Sequence, residues 1–111
     1  MSYSHKVVVG VDVVELDEQI DLYTVPEVKK FCKSLLAKEN KKVIISLEKV
    51  GFIDSSGLGM LLNLKHEAST GNVGFKLAAL SPEVSKTFSM TKFHDNFEIF
   101  GTVNEAIRSF G

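Results

Sequence analysis

The chain is poor in the residues that usually announce chemistry. Its one cysteine, Cys32, excludes an internal disulfide and fits a reducing compartment. Its histidines, His5, His66 and His94, are scattered, and no His, Cys and carboxylate cluster stands at metal-ligand spacing. No apolar run approaches the roughly 18 residues of a membrane span. The opening "MSYSHKVVVG" has neither the apolar core nor the cleavage site of a signal peptide, so the expected location is the cytoplasm. An excess of one charge is also missing: 13 lysines and arginines nearly balance 14 aspartates and glutamates, for a net charge of −1. With no basic stripe visible, direct nucleic-acid binding is not expected. No repeat, low-complexity segment or linker interrupts the sequence, and a content of 44% hydrophobic and 24% charged residues argues against disorder. One domain over residues 1–111 is expected.

What is present is a regular alternation of patterns. The valine-rich "HKVVVGVDVVEL", with a turn signal near Gly10 to Asp12, predicts a short hairpin or one bent strand. In "TVPEVKKFCKSLLAKEN", Val28, Phe31, Cys32, Leu35 and Leu36 have the spacing of an amphipathic helix. Thr24 and Glu27 predict a capping box there, and Pro26 fits its first turn. The run "VIISL", 43–47, suits a strand covered on both faces. A helix is expected from Leu58 onward, ending at "TGNVG", with "FKLAAL" as the next strand. Ser81-Pro82 opens a third helix, "FEIF" (97–100) is a short strand, and Thr102 with Glu105 caps a last helix. This order predicts an α/β fold with helices packed on a mostly parallel sheet.

One stretch stands apart: "DSSGLGMLLNLKHEAST", 54–70. A hydrolase serine needs G-x-S-x-G with a base and an acid, yet the context is "IDSSGLG" and no histidine pairs with Ser55 or Ser56. A P-loop lysine and the rest of a dinucleotide fingerprint are absent as well. No catalytic constellation, metal site or cofactor is therefore expected. Asp54 or Ser55 can cap the helix start. A cap alone does not call for Gly57 and Gly59, each costing about 1 kcal/mol in a helix. They are expected to leave the first turn bare for another molecule. Such a turn tolerates a phosphoserine. Repulsion from Asp54 costs about 1–2 kcal/mol, which the helix dipole offsets by about 0.3–2 kcal/mol. A partner burying the same patch would meet an unpaired dianion, at a penalty of several kcal/mol.

The stretch "VIISLEKVGFIDSSGLGMLLNLKHEA" resembles the signature region of the STAS domain, named for sulphate transporters and anti-sigma factor antagonists. The similarity extends to "IDLYTVPEV" and to "LAALSPEVSKTFSMTKF…FEIFGTVNEAI". It implies the STAS fold, a mixed, mostly parallel sheet of four to five strands with about four helices. It also implies an anti-sigma factor antagonist rather than an enzyme. In that family the serine after the aspartate, here Ser55, is phosphorylated by a partner that is both serine kinase and anti-sigma factor. The unphosphorylated antagonist binds this partner and frees the sigma factor, and a serine phosphatase restores binding. The resemblance makes Ser55 the switch, with Asp54, Asp21 and Ser56 beside it. Gly57, Leu58 and Gly59 are expected to form the contact surface; Met60, Tyr23 and Thr24 are either rim contacts or core and cap. An alternative is a stand-alone STAS module in another signalling scaffold or beside a transporter. The chain departs from the family pattern at Glu18, Lys92 and Phe93, which could alter partner choice.

Overall fold

The structure is a computed structural model and describes residues 3–39 and 41–111. Strands β1 (Tyr3–Val8) and β2 (Val11–Leu16) form an antiparallel hairpin. Its turn lies at Val9 and Gly10, a little earlier than the sequence signal, with φ of 51° and 75°. Two positive φ angles are what a two-residue hairpin of this twist needs. The chain continues through α1 (Val25–Leu36), β3 (Lys42–Ser46), α2 (Ser55–Thr70), β4 (Gly74–Ala78) and α3 (Pro82–Thr91). A 3₁₀ turn (Phe93–Asn96), β5 (Ile99–Phe100) and α4 (Val103–Ser109) complete it.

The sheet order is β1-β2-β3-β4-β5, with β2 to β5 parallel. Because each crossover advances to the next strand in the same direction, the uniform handedness of such units puts α1, α2 and α3 on one face. There they cover Val14, Leu16, Val43, Ile45, Phe75 and Leu77, together with the buried thiol of Cys32. The alternate strand residues, Val11, Val13, Ile44 and Ala78, face α4 on the other side. β3 is thus buried on both faces, as its unbroken apolar run predicts.

Several boundaries differ from the sequence expectations, each for a local reason. β4 stops at Ala78 because Ala79 turns to φ 56°. "FEIF" pairs only at Ile99 and Phe100, because Phe97 lies against Phe88 and Phe93 with ring centroids 6.0 Å away. Lys92 ends α3 in the left-handed conformation, φ 58° and ψ 26°, where glycine is the least strained residue. Phe93 is half-buried, 5.8 Å from Phe88. Lys92 and Phe93 therefore have an account within the turn that follows α3.

Candidate functional site

The loops after β2 and β3 meet at the carboxyl ends of the strands. Ile20 and Ile53 form an isolated parallel bridge, in which Ile20 N donates to Phe52 O (2.9 Å) and Asp54 N donates to Ile20 O (3.1 Å). Both isoleucines are buried, so the bridge is anchored in the core. Helix α2 starts directly after it, at Ser55, three residues before the apolar periodicity becomes readable at Leu58. Asp54 is its N-cap: Oδ1 accepts from Gly57 N at 3.0 Å.

The other aspartate closes the turn that leads into α1. Asp21 Oδ1 accepts from Tyr23 N (2.9 Å) and Thr24 N (3.1 Å), while Thr24 Oγ1 accepts from Asp21 N (3.0 Å) and donates to Gln19 O (2.8 Å). This reciprocal arrangement replaces the expected Thr24–Glu27 box. Thr24 already has helical dihedrals, φ −93° and ψ −24°, and its hydroxyl makes no cap bond to α1. Asp21 and Asp54 thus orient the two loops as well as charging them.

The glycines have different reasons. Gly57 is buried, and a Cβ there would lie 2.8 Å from Ile20 O and 2.6 Å from Ile53 Cγ1. Only glycine lets the helix start approach the bridge so closely. Gly59 is exposed and would meet nothing within 4 Å. The expectation of one bare turn made by both is corrected: Gly57 is a packing residue. Leu58 and Met60 are buried as well, at 8% and 3% exposure. Of the expected contact surface, only Gly59 is open; Leu58 and Met60 support it from beneath.

At the surface remain Ser55, whose hydroxyl makes no hydrogen bond among the described residues, and the half-buried Ser56. Tyr23 stands out at 88% exposure, and beside it Leu22 and Phe52 are 66% and 55% exposed. Sequence reasoning missed Leu22 and Phe52. Their signal was an apolar residue in a loop with no periodic partner. A hollow of about 450 Å³ between the loops is lined by Asp17, Glu18, Asp21 and Phe52. Among the described residues, no group of three or more His, Cys, Asp or Glu could hold a metal ion, and no helix is long and apolar enough to cross a membrane. Cys32 is remote from this chemistry, in α1, and burial pushes its thiol pKa up to about 12.

Residues 3–106 match the model of the STAS domain. A STAS-domain containing protein of Pseudomonas aeruginosa is 37% identical over 59 residues, 53% of this chain and 58% of that protein. The chain thus spans somewhat over half the length of this relative. The anti-sigma-B factor antagonist of Staphylococcus aureus is 23% identical over 82 residues, 74% of this chain and 76% of its own. Among solved structures, an anti-sigma factor antagonist from Mycobacterium paratuberculosis superposes with a TM-score of 0.86 at 22% identity, covering 96% of this chain and 91% of that one. The Bacillus cell fate determinant SpoIIAA in its phosphorylated form gives 0.75 at 22% identity, covering 98% and 99%. At that identity the structural likeness is one of fold. A five-strand mixed sheet, a bridge between two loops and a serine at the start of α2 define a domain of the α/β class. The chain belongs to the STAS domain family.

Proposed function

We propose that this protein is an anti-sigma factor antagonist switched by phosphorylation of Ser55. The observation that carries the reading is the setting of Ser55. It is the exposed first residue of α2, its hydroxyl makes no hydrogen bond among the described residues, and it lies beside two loops joined by a core-anchored bridge. A kinase can reach it, and a phosphate there disturbs no packed side chain. In the unphosphorylated state the surface of Ser55, Gly59, Leu22, Tyr23 and Phe52 docks on an anti-sigma factor that is also a serine kinase, and the sigma factor is released. Asp21, Thr24, Asp54, Ser56, Gly57, Leu58 and Met60 hold that surface in place.

The switch follows from desolvation. Free in solution, a phosphate on Ser55 lies near the positive end of α2, and water screens it from Asp54. Once the partner covers it, a dianion of about −1.5 to −2 charges loses that water without gaining a new counter-charge. A serine phosphatase resets the state. The test is incubation with ATP and the candidate kinase/anti-sigma partners of the same genome, with mass spectrometry to place the phosphate. Modification at Ser55, and a Ser55→Glu variant that folds normally but binds the unmodified partner at least tenfold more weakly, are expected. Full-strength binding by Ser55→Glu, or phosphate confined to other residues, overturns the reading.

A further inference from the structure

The two ends of the sheet carry opposite charge, and each also exposes apolar side chains. At the carboxyl ends of the strands lie Asp17, Glu18, Asp21, Glu48 and Asp54, around the exposed Leu22, Tyr23 and Phe52. At the amino ends lie the β1–β2 turn, Lys38 just beyond α1, and Lys41 and Lys42 at the start of β3. The register brings these together. Asp12 pairs with Val43 and Lys42 with Gly74, so Val9 and Gly10 stand beside Lys41 and Lys42. The Phe110 ring lies against Gly74, which adds the exposed Arg108 of α4 to the same end. Among the described residues, Glu39 and Glu98 are the exposed carboxylates there.

The valines at the basic end have no role in the core. Val7 and Val9 are 61% and 84% exposed, and Val9 holds φ 51°, a conformation that β-branched residues rarely adopt. An exposed apolar side chain on strained backbone gains nothing for the fold, and strain of this kind gathers at binding surfaces. Around it, Lys38 and Lys42 make no ion pair among the described residues. At the acidic end Asp17, Glu18 and Glu48 likewise make none among the described residues. Charges alone would leave both ends to water and salt. The apolar side chains beside them give each end something to bury.

We propose that the two ends bind one another between copies of this chain, head to tail. Val7 and Val9 of one copy pack on Leu22, Tyr23 and Phe52 of the next, while Lys38, Lys41 and Lys42 face Asp17, Glu18 and Glu48. The complement of each end is thus carried by the same molecule, and a net charge of −1 leaves little repulsion between copies. A lipid surface fits the basic end less well, because Glu39 and Glu98 stand among its cations. Because the joined surfaces differ, the contact does not close on itself and continues from copy to copy. The patches are small, which places the contact in the weak class. It needs no modification of Ser55. It does cover the loops beside that serine, so self-association and any other partner of the acidic end exclude one another.

The test is sedimentation equilibrium of the full chain, read as weight-average mass up to about 1 mM, the range of a weak contact. It is run at about 10 mM salt, where charges are felt over about 30 Å, and at about 0.15 M, where the reach is about 8 Å. At low salt the mass should climb past that of two chains, and the association constant should fall about tenfold at the higher salt. Val9→Asn should fold and lose about tenfold in association, the effect of one buried valine side chain. Two double variants then separate the ends. Asp17→Lys with Glu18→Lys removes the acidic end, sparing Asp21 and Asp54, whose carboxylates close turns. Val9→Asn with Lys42→Ser removes the basic end. Each alone should remain a single chain, and their equimolar mixture should form pairs and stop there. The proposal is overturned by a single-chain mass throughout, by a plateau at two chains of the parent, by a mixture no heavier than its components, or by unchanged association in Val9→Asn. A chain that stays single yet sediments with phosphatidylserine vesicles also overturns it, and gives the basic end to a lipid surface.

Discussion

Two glycines two residues apart, indistinguishable as letters, carry opposite constraints. Gly57→Ala would press a methyl group to 2.8 Å from the Ile20 carbonyl. The expected cost is about 1–3 kcal/mol, the range for overpacking, read as a lower urea midpoint. Gly59→Ala meets nothing within 4 Å and should stabilise by about 0.5–1 kcal/mol, the helix-propensity gain. If the surface acts as proposed, Gly59→Ala also weakens partner binding while the fold becomes more stable. A cost at Gly59 comparable to that at Gly57 would contradict the geometry. Cys32 offers a separate check on burial. Burial pushes its thiol pKa up to about 12, above the ordinary value of 9.0. The folded state therefore holds the thiol proton more tightly, and this contribution is complete below pH 9 and lost as pH rises towards 12. Denaturation of the parent and of Cys32→Ala across alkaline pH should show the steeper decline in the parent. Equal slopes would mean the thiol is not desolvated.

At the level of elements, two turns carry a residue that does not suit its backbone. Val9 is β-branched at φ 51° in the hairpin, and Lys92 holds φ 58° at the end of α3. Val9→Asn gives the Asn-Gly pair that this turn favours, and Lys92→Gly removes the left-handed penalty. Each is expected to add about 1 kcal/mol, seen as a higher urea midpoint with an unchanged slope. A loss in either case would mean that contacts of the native side chain outweigh the backbone strain. Such turns also mark how far the elements were legible. The 3.6-residue spacing of Val28, Cys32 and Leu35 and the double-sided apolar run of β3 are direct imprints of burial, and both could be read. Ser81 and Thr102 were recognisable caps because their side chains accept from Val84 N and Glu105 N, each at 3.1 Å. Thr24 was misread because Asp21, three residues upstream, competes for the same helix start. The 3₁₀ turn at 93–96 rests on contacts among Phe88, Phe93 and Phe97, which no periodicity announces.

For the molecule as a whole, alternation of strands and helices was enough to foresee the layered sheet, since each crossover can close in one hand only. Which loop residues would face outward was not legible. Leu22 and Phe52 became visible only when the Ile20–Ile53 bridge set the two loops beside one another. The same topology sorts the charges. Asp17, Glu18, Asp21, Glu48 and Asp54 lie in the loops after β2 and β3, where Lys49, the one cation, is paired with Glu15. A chain of net charge −1 thus presents a locally acidic end to its proposed partner. Association should slow markedly as salt is raised, with dissociation changing less, as for electrostatically steered pairs. Stopped-flow mixing over a salt series measures this, and a salt-independent association rate would exclude steering by these carboxylates.

The bridge between Ile20 and Ile53 has a thermodynamic corollary. Loops that are separate in sequence normally surrender conformational freedom when they dock, and that loss opposes binding. Here the hydrogen bonds at Ile20 N and Asp54 N are already made in the free chain and tied to buried side chains. Their amides should exchange with deuterium nearly as slowly as those of β3, which would report loops ordered before any encounter. With the shape of the surface set in advance, the phosphorylation switch proposed at Ser55 needs no refolding in either direction, and its two states would interconvert as fast as the proposed kinase and phosphatase act.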